Sequence, residues 1–123
     1  MRLKAIIMTT FITTFFSISA LAGDVETPSS VSGGNVVSAQ EAKKIQDNGG
    51  LIVDARKRLD YATEHVKGSK NFVYDEESGK TADFDPSKDT FKLSKLPSDK
   101  SKDLVFYCNG PTCWRSYKAS VQS

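Results

Sequence analysis

Two short, uninterrupted apolar runs constrain the fold of this chain more than any other feature. The segment LIVDA, residues 51–55, and the segment DLVFYC, residues 103–108, each contain at least three consecutive apolar side chains. Runs of this length without polar alternation are typical of strands that are buried on both faces, as in a parallel sheet. We therefore predict a central parallel sheet that contains both segments.

A helix is predicted between a short apolar pair, Val36-Val37, and the first of these runs. Ser38 and Glu41 have the spacing of a capping box, in which each residue pairs with the backbone N–H of the other. Asn48-Gly49-Gly50 is a typical signal for the end of a helix. The pair Val36-Val37 would then form a short strand before the helix.

The rest of the chain adds one strand, one long connection and one helix. The segment KNFVY, residues 70–74, predicts a strand, and the charged residues 75–103 predict a long connection with one short helix. A final helix is predicted from about Cys113, because apolar residues recur on one helical face. These residues are Trp114, Tyr117 and Val121. An order of strand–helix–strand–loop–strand–loop–strand–helix predicts an α/β fold.

The first 22 residues have the layout of a secretory signal peptide. Arg2 and Lys4 form a positive start, residues 5–19 carry no charge, and Ala20-Leu21-Ala22 has the small–x–small pattern of a cleavage site. The apolar run is shorter than the roughly 20 residues that a membrane-spanning helix needs. We therefore predict cleavage after Ala22, a periplasmic or secreted location and no stable membrane anchor.

Cleavage at this point would leave a leader and one small domain. Residues 23–35 contain Gly, Pro and Ser and predict a flexible leader, and residues 36–123 predict the domain. The removed segment holds two of the 17 basic residues and none of the 15 acidic ones, so the remaining charges balance. A formally neutral domain gives no reason to expect binding to nucleic acid.

Both cysteines of the chain, Cys108 and Cys113, lie between the last predicted strand and the last predicted helix. Export would favour a disulfide between them, although so short a loop contributes little stability through chain entropy. A cysteine beside a helix N-terminus is favoured as a thiolate, and Arg115 would add a cation near an anion site. The residues alone leave open a structural disulfide, a thiol–disulfide redox pair, and a nucleophile with its neighbour.

Other cysteine chemistries fit the sequence poorly. The two cysteines and the single histidine, His65, supply at most three ligands, whereas structural zinc uses four. A cysteine–histidine hydrolase needs an imidazole beside the thiol, and His65 lies far along the chain from Cys108. A tyrosine-phosphatase pattern fails because six residues, not five, separate Cys108 from Arg115. We therefore predict no metal centre and no cofactor.

Three segments of the chain resemble the rhodanese family of sulfurtransferases. SAQEAKKIQDNGGLIVDARK, residues 38–57, is similar to the opening helix and the V-D-x-R strand of that family. YATEHVKGSKNF, residues 61–72, is similar to its E-Y…G-H-I-x-G-A-x-N-I segment, with Glu64 where glycine is usual. DLVFYCNGPTCWRS, residues 103–116, is similar to the strand and loop that carry the nucleophilic cysteine.

The resemblance implies a rhodanese-like central parallel sheet flanked by helices, and a sulfurtransferase activity. Sulfane sulfur would pass from thiosulfate or a persulfide to a thiol or cyanide, through a persulfide on the catalytic Cys108. Asp54, Arg56 and His65 match family positions with structural roles. The partner would be a small sulfur-containing anion or thiol. The residues expected to bind it, mainly through loop N–H groups and one guanidinium, are Asn109, Gly110, Thr112, Cys113, Trp114 and Arg115.

Two departures from the family pattern keep alternatives open. Cys113 occupies the sixth place of the loop, so it could attack the persulfide and form a disulfide with Cys108. Family members usually add a strand and a closing helix, so we expect a domain that is short at its C-terminus and a sheet that a protein partner could complete. A thiol–disulfide redox protein and a non-catalytic rhodanese-like binding module therefore remain as alternatives.

Overall fold

The computed structural model describes residues 25–123, so the predicted signal peptide at residues 1–22 lies outside the described residues. Within that range, no helix combines the length and the apolar character that crossing a bilayer requires. The α-helices and strands in chain order are β1 (Ser30–Val31), β2 (Gly34–Asn35), α1 (Ala39–Asp47), β3 (Leu51–Asp54), α2 (Arg58–Thr63), β4 (Lys70–Asn71), β5 (Leu104–Tyr107) and α3 (Trp114–Gln122). The long connection between β4 and β5, where one short helix was predicted, contains two short 3-10 helices, Pro86–Lys88 and Leu93–Lys95.

Strand β3 is the centre of a parallel sheet with the order β4–β3–β5. Leu51 pairs with Leu104 and Asp54 pairs with Tyr107, so the carboxyl ends of β3 and β5 lie at the same edge. Ile52 and Val53 are buried, as their apolar run predicts. The predicted α/β fold, with a central parallel sheet flanked by helices, is confirmed.

The capping box at the start of α1 is also confirmed. The Glu41 backbone N–H donates to the Ser38 hydroxyl over 3.2 Å, and the Ser38 N–H donates to the Glu41 carboxylate over 2.7 Å. The second bond lowers the pKa of Glu41. The helix ends at Asn48, whose N–H donates to the Lys44 carbonyl.

A short hairpin precedes α1 in place of the predicted strand at Val36-Val37. Strands β1 and β2 are antiparallel, and Gly33 in the turn between them has a φ of +82°, which glycine adopts without strain. The predicted strand is wrong because Val36 and Val37 follow the hairpin as a link to α1, with Val36 exposed.

The segment after β3 differs from the prediction in two ways. Helix α2 lies where the predicted element order has a loop, and its one large aliphatic side chain, Leu59, is 76% exposed. Strand β4 covers only the start of the predicted strand. The chain beyond β4 still contacts β3, because Phe72 N–H donates to the Asp54 carbonyl and Tyr74 N–H donates to the Ala55 carbonyl.

Helix α3 forms as predicted but buries a different face. Trp114 is buried, as expected, whereas Val121 is 47% exposed. The side chains that face the interior with Trp114 are Lys118 and Ala119. The predicted apolar face is therefore wrong beyond the first turn, because the helix packs a lysine into the interior.

An ion pair compensates for the burial of this lysine. Lys118 Nζ lies 2.8 Å from a Glu76 carboxylate oxygen, and it donates to the Ser78 hydroxyl over 2.8 Å and to the Ser78 carbonyl over 3.2 Å. Its ammonium also lies 5.2 Å from the centroid of the Phe84 ring. These contacts fasten α3 to the long connection between β4 and β5.

Asp89 organises the same connection. Its carboxylate accepts hydrogen bonds from the Tyr74 and Ser78 hydroxyls, each at 2.6 Å, and from the backbone N–H groups of Glu77 and Ser78, each at 2.7 Å. Burial opposes ionisation of Asp89, but these hydrogen bonds outweigh it and lower its pKa to about 2.

We expect this carboxylate to contribute to acid unfolding. Its pKa is lower in the folded chain than the value of about 3.9 in an unfolded chain, so its contribution is complete above pH 4 and is lost as the pH falls toward 2. In Asp89→Asn, the free energy of unfolding should decrease less steeply between about pH 4 and pH 2 than in the parent. Urea denaturation at several pH values measures this slope. Asp75→Asn serves as a control for the loss of one exposed carboxylate. An unchanged slope in Asp89→Asn would contradict the assignment.

Candidate functional site

The two cysteines are joined by a disulfide at the carboxyl end of β5. Cys108 directly follows the strand, Cys113 is the N-cap residue of α3, and their Cα atoms lie 6.0 Å apart. Both side chains are partly buried. Of the arrangements that the sequence leaves open, the structure contains the bonded pair, so Cys108 becomes a free nucleophile only after reduction.

The local sequence explains why the cysteines meet. The strand ends at Tyr107, and beyond Asn109 the chain reverses in a turn closed by the Cys113 N–H and the Gly110 carbonyl at 3.1 Å. Helix α3 then begins at Trp114. Cys113 forms no side-chain cap within the described part of the chain, so the unpaired N–H groups of the first helical turn lie beside the disulfide. Such a helix end stabilises a thiolate when the bond is reduced.

The segment before β1 forms two hydrogen bonds with the cysteine loop and the start of α3. The Thr27 N–H donates to the Pro111 carbonyl over 2.8 Å, and the Trp114 indole N–H donates to the Val25 carbonyl over 2.8 Å. The composition of residues 23–35 predicts a flexible leader, and nothing in the sequence indicates these two contacts. We refer to residues 25–29, which precede β1, as the loop-binding segment.

A buried carboxylate lies at the neighbouring end of β3. Asp54 accepts hydrogen bonds from Arg56 Nε at 3.0 Å, from Arg56 Nη2 at 2.8 Å and from the Tyr107 hydroxyl at 2.7 Å. Burial opposes ionisation of Asp54, but the bonds from Arg56 and Tyr107 outweigh it and lower its pKa. The Asp54 bonds in turn raise the pKa of Arg56, which stays charged.

The Arg56 guanidinium contacts both residues that flank Cys108. Its Cζ lies 5.4 Å from the centroid of the Tyr107 ring, and Nη1 donates to the Asn109 side-chain oxygen over 3.4 Å. Nη2 also donates to the Glu64 carbonyl over 2.7 Å. Arg56, which the family resemblance places among structural residues, is therefore the guanidinium that touches the cysteine loop.

Arg115, the arginine predicted to bind an anion, lies in a different environment from Arg56. Arg115 is partly buried on the first turn of α3, and its Nε atom is buried without a hydrogen-bond partner among residues 25–123. Lys118, three positions further along the helix, is fully buried against Glu76. The substrate-binding role of Arg115 therefore stays a prediction. Of the other predicted loop residues, Asn109 and Gly110 are exposed and Thr112 is partly buried.

The His65 ring has a defined orientation. Its Nδ1 atom is 2.8 Å from the Tyr61 carbonyl oxygen, and its ring stacks on the Tyr61 ring with centroids 3.7 Å apart. A carbonyl oxygen only accepts hydrogen bonds, so Nδ1 carries the proton and Nε2 is the acceptor atom of the neutral ring. His65 thus offers one lone pair to its surroundings.

An open pocket of about 390 Å³ connects these groups, lined by Arg56, Glu64, His65, Val66 and Tyr107. The Val66 N–H donates to the Tyr107 hydroxyl over 3.1 Å, which fixes one wall. Glu64, Val66 and Tyr107 are not among the site residues that the sequence predicts. Two features of the sequence could have indicated this site: Glu64 replaces a usual glycine, and Tyr107 ends β5 as Asp54 ends β3.

No group of three or more His, Cys, Asp or Glu side chains within residues 25–123 is arranged to hold a metal ion.

Comparison with known families gives one result. A family model described as Rhodanese-like domain matches residues 38–123. The match includes the sheet, the cysteine loop and α3, and it begins after the β1–β2 hairpin. Comparison with curated proteins returned no match, and comparison with solved structures returned none.

Proposed function

Because the chain belongs to the rhodanese-like domain family, we propose that it is a sulfurtransferase that carries sulfane sulfur on Cys108. The position of Cys108 is the main support for this proposal. It directly follows a parallel strand, at the edge where open α/β sheets bind their ligands, and one short loop precedes the N-terminus of α3. A negatively charged sulfur species at this point would meet unpaired N–H groups.

The proposed reaction has two half-reactions. The reduced Cys108 thiolate attacks the outer sulfur of thiosulfate, a new sulfur–sulfur bond forms, and sulfite leaves with the electron pair of the broken bond. Cyanide or a thiolate then takes the outer sulfur and releases the Cys108 thiolate. With a persulfide donor, the leaving group is its thiolate. The loop N–H groups and Arg115 would stabilise the negative charge on the bound sulfur.

The disulfide suggests a role for Cys113 in this cycle. Its thiolate could attack the inner sulfur of the Cys108 persulfide, which forms the Cys108–Cys113 bond and releases hydrosulfide. An external dithiol must then supply two electrons to reopen the bond. We propose that the disulfide is the resting, oxidised form of the protein.

The same bond favours a second candidate, a thiol–disulfide redox protein that never carries a persulfide. The unpaired N–H groups beside Cys113 would stabilise a thiolate in either case. The rhodanese-like domain also occurs as a non-catalytic module, which would bind a partner without either chemistry. Sulfur loading is the observable that separates the first candidate from the other two.

Intact mass measurement tests the proposal. Protein without residues 1–22 is reduced with a dithiol, freed of reductant and incubated with thiosulfate. We expect the mass to rise by one sulfur atom, and added cyanide should restore the original mass and produce an equal amount of thiocyanate. If the protein gains no sulfur and releases no hydrosulfide, although both thiols react with an alkylating reagent, sulfur transfer is wrong. Exchange with external dithiols would then support the redox candidate.

We also propose that the protein is exported and cleaved after Ala22. A disulfide between the only two cysteines of the chain suits an oxidising compartment. N-terminal sequencing of the protein recovered from the periplasm or the medium should begin at Gly23.

A further inference from the structure

We propose that the pocket lined by Arg56 and Glu64 binds the thiol acceptor, and that this acceptor is a small zwitterion of the amino-acid thiol class. The inference rests on the proposed sulfur transfer and adds the chemical class of one substrate. The pocket volume of about 390 Å³ lies within the range of roughly 300–1,000 Å³ that small-molecule sites have.

The two residues that flank Cys108 contact the guanidinium that lines the pocket. Tyr107 and Asn109 are the chain neighbours of Cys108, and both contact the Arg56 guanidinium. Consecutive Cα atoms are about 3.8 Å apart, so Cys108 lies between two residues that touch the wall of the pocket. We expect a molecule that is bound by Arg56 and carries a thiol two or three bonds away to place that thiol near Cys108.

Arg56 offers a donor to a carboxylate group. Asp54 and the Glu64 carbonyl occupy Nε and Nη2, while Nη1 has only the 3.4 Å bond to Asn109 among the described residues. Nη1 carries two hydrogens, so at least one is free for a ligand. Hydrogen bonds from a guanidinium to a carboxylate are stronger than those between neutral groups.

Glu64 offers the complementary charge for an ammonium group. It is exposed, it lines the pocket, and its carboxylate has no ion-pair partner within residues 25–123. Asp54 already balances Arg56, so Glu64 gives the pocket a net negative charge that disfavours a purely anionic thiol. The Nε2 lone pair of His65 can accept a further N–H, and partly exposed Val66 can cover the methylene groups.

Four acceptor thiols test both contacts at once. Cysteine carries an ammonium and a carboxylate, mercaptopropionate only the carboxylate, cysteamine only the ammonium, and mercaptoethanol neither. Each thiol is added to protein that carries Cys113→Ser, so that Cys113 cannot discharge the persulfide, and that is preloaded with sulfur; the rate of persulfide discharge is then measured. The ratio of variant to parent rate for each thiol cancels the intrinsic reactivity of that thiol.

The two variants should affect different pairs of thiols. Glu64→Gln should slow discharge by cysteine and cysteamine about threefold to fivefold, the range of an exposed charge pair, and leave the other two unchanged. Arg56→Lys keeps a cation beside Asp54 but removes the Nη1 donor, so it should slow cysteine and mercaptopropionate instead. Glu77→Gln, the same change on an exposed side chain outside the pocket, should alter none of the four ratios.

A binding measurement separates this inference from the proposed function. S-Methylcysteine cannot accept sulfur, and we expect it to shift the NMR signals of residues 64–66 and 107 in the disulfide form, less so in Glu64→Gln. Equal slowing of all four thiols in Glu64→Gln, or no localised shift with S-methylcysteine, would overturn the pocket assignment. Localised shifts without any sulfur loading would instead contradict the sulfurtransferase and leave a binding site for zwitterions.

Discussion

The Cys108→Ser protein is expected to form no thiocyanate above background, a loss of at least about a thousandfold. A hydroxyl in place of the thiol cannot accept sulfane sulfur, so both half-reactions stop. The change is small in volume, and the side chain is only partly buried. The measurement is the rate of thiocyanate formation from thiosulfate and cyanide after reduction of the protein.

Cys113→Ser is the matched variant for this experiment. It also removes the disulfide, but it leaves the proposed sulfur carrier intact, so its activity should stay within a few-fold of the reduced parent. It should also no longer need a dithiol before each assay, because Cys108 cannot be oxidised within the chain. Equal activity in Cys108→Ser and the parent would contradict the assignment of the carrier, and loss of activity in both variants would show that the two cysteines act together.

Lys118→Met is expected to lower the free energy of unfolding by about 3 kcal/mol or more, as the loss of one partner of a buried ion pair does. Lys118 is fully buried and the Glu76 side chain is only 12% exposed, so the carboxylate would lose its cation in a largely dry site. A domain of this size is stable by only about 5–15 kcal/mol. Urea denaturation at neutral pH measures the change.

Two further variants test whether the loss of stability comes from the buried ion pair. Lys95→Met changes an exposed lysine in the same connection and should alter stability by less than about 0.5 kcal/mol. The double variant Lys118→Met/Glu76→Leu removes both charges and should recover part of the loss, since an apolar pair needs no ionic partner. If Lys118→Met unfolds at the same urea concentration as the parent, the ion pair does not stabilise the fold.

The elements that the sequence predicts correctly are those whose signals are local. The Ser38 and Glu41 capping box, the apolar runs of β3 and β5 and the start of α3 each depend on residues within one element. Helix α2 was missed because it buries no side chain and therefore has no apolar period. The interior side of α3 was predicted wrongly because an apolar pattern does not include Lys118, and only a distant partner, Glu76, makes the burial of this lysine favourable.

The site shows the same division between local and distant information. The cysteine loop follows from residues 103–116 alone, and the register of β3 and β5 brings Asp54 to Tyr107. The contact between Arg56 and Asn109 joins residues that lie 53 positions apart, so a single sequence does not indicate it. The disulfide was one of several options, because spacing does not report the oxidation state of a thiol pair.

The loop-binding segment has a practical consequence for making this protein. A gene trimmed to the family boundary at residue 38 would delete the carbonyl that accepts the Trp114 indole and the N–H that reaches Pro111. A tag fused at residue 38 would also take the place of the deleted β1–β2 hairpin. Expression should therefore begin at Gly23, with the affinity tag placed after Ser123, so that the cysteine loop keeps its native neighbours.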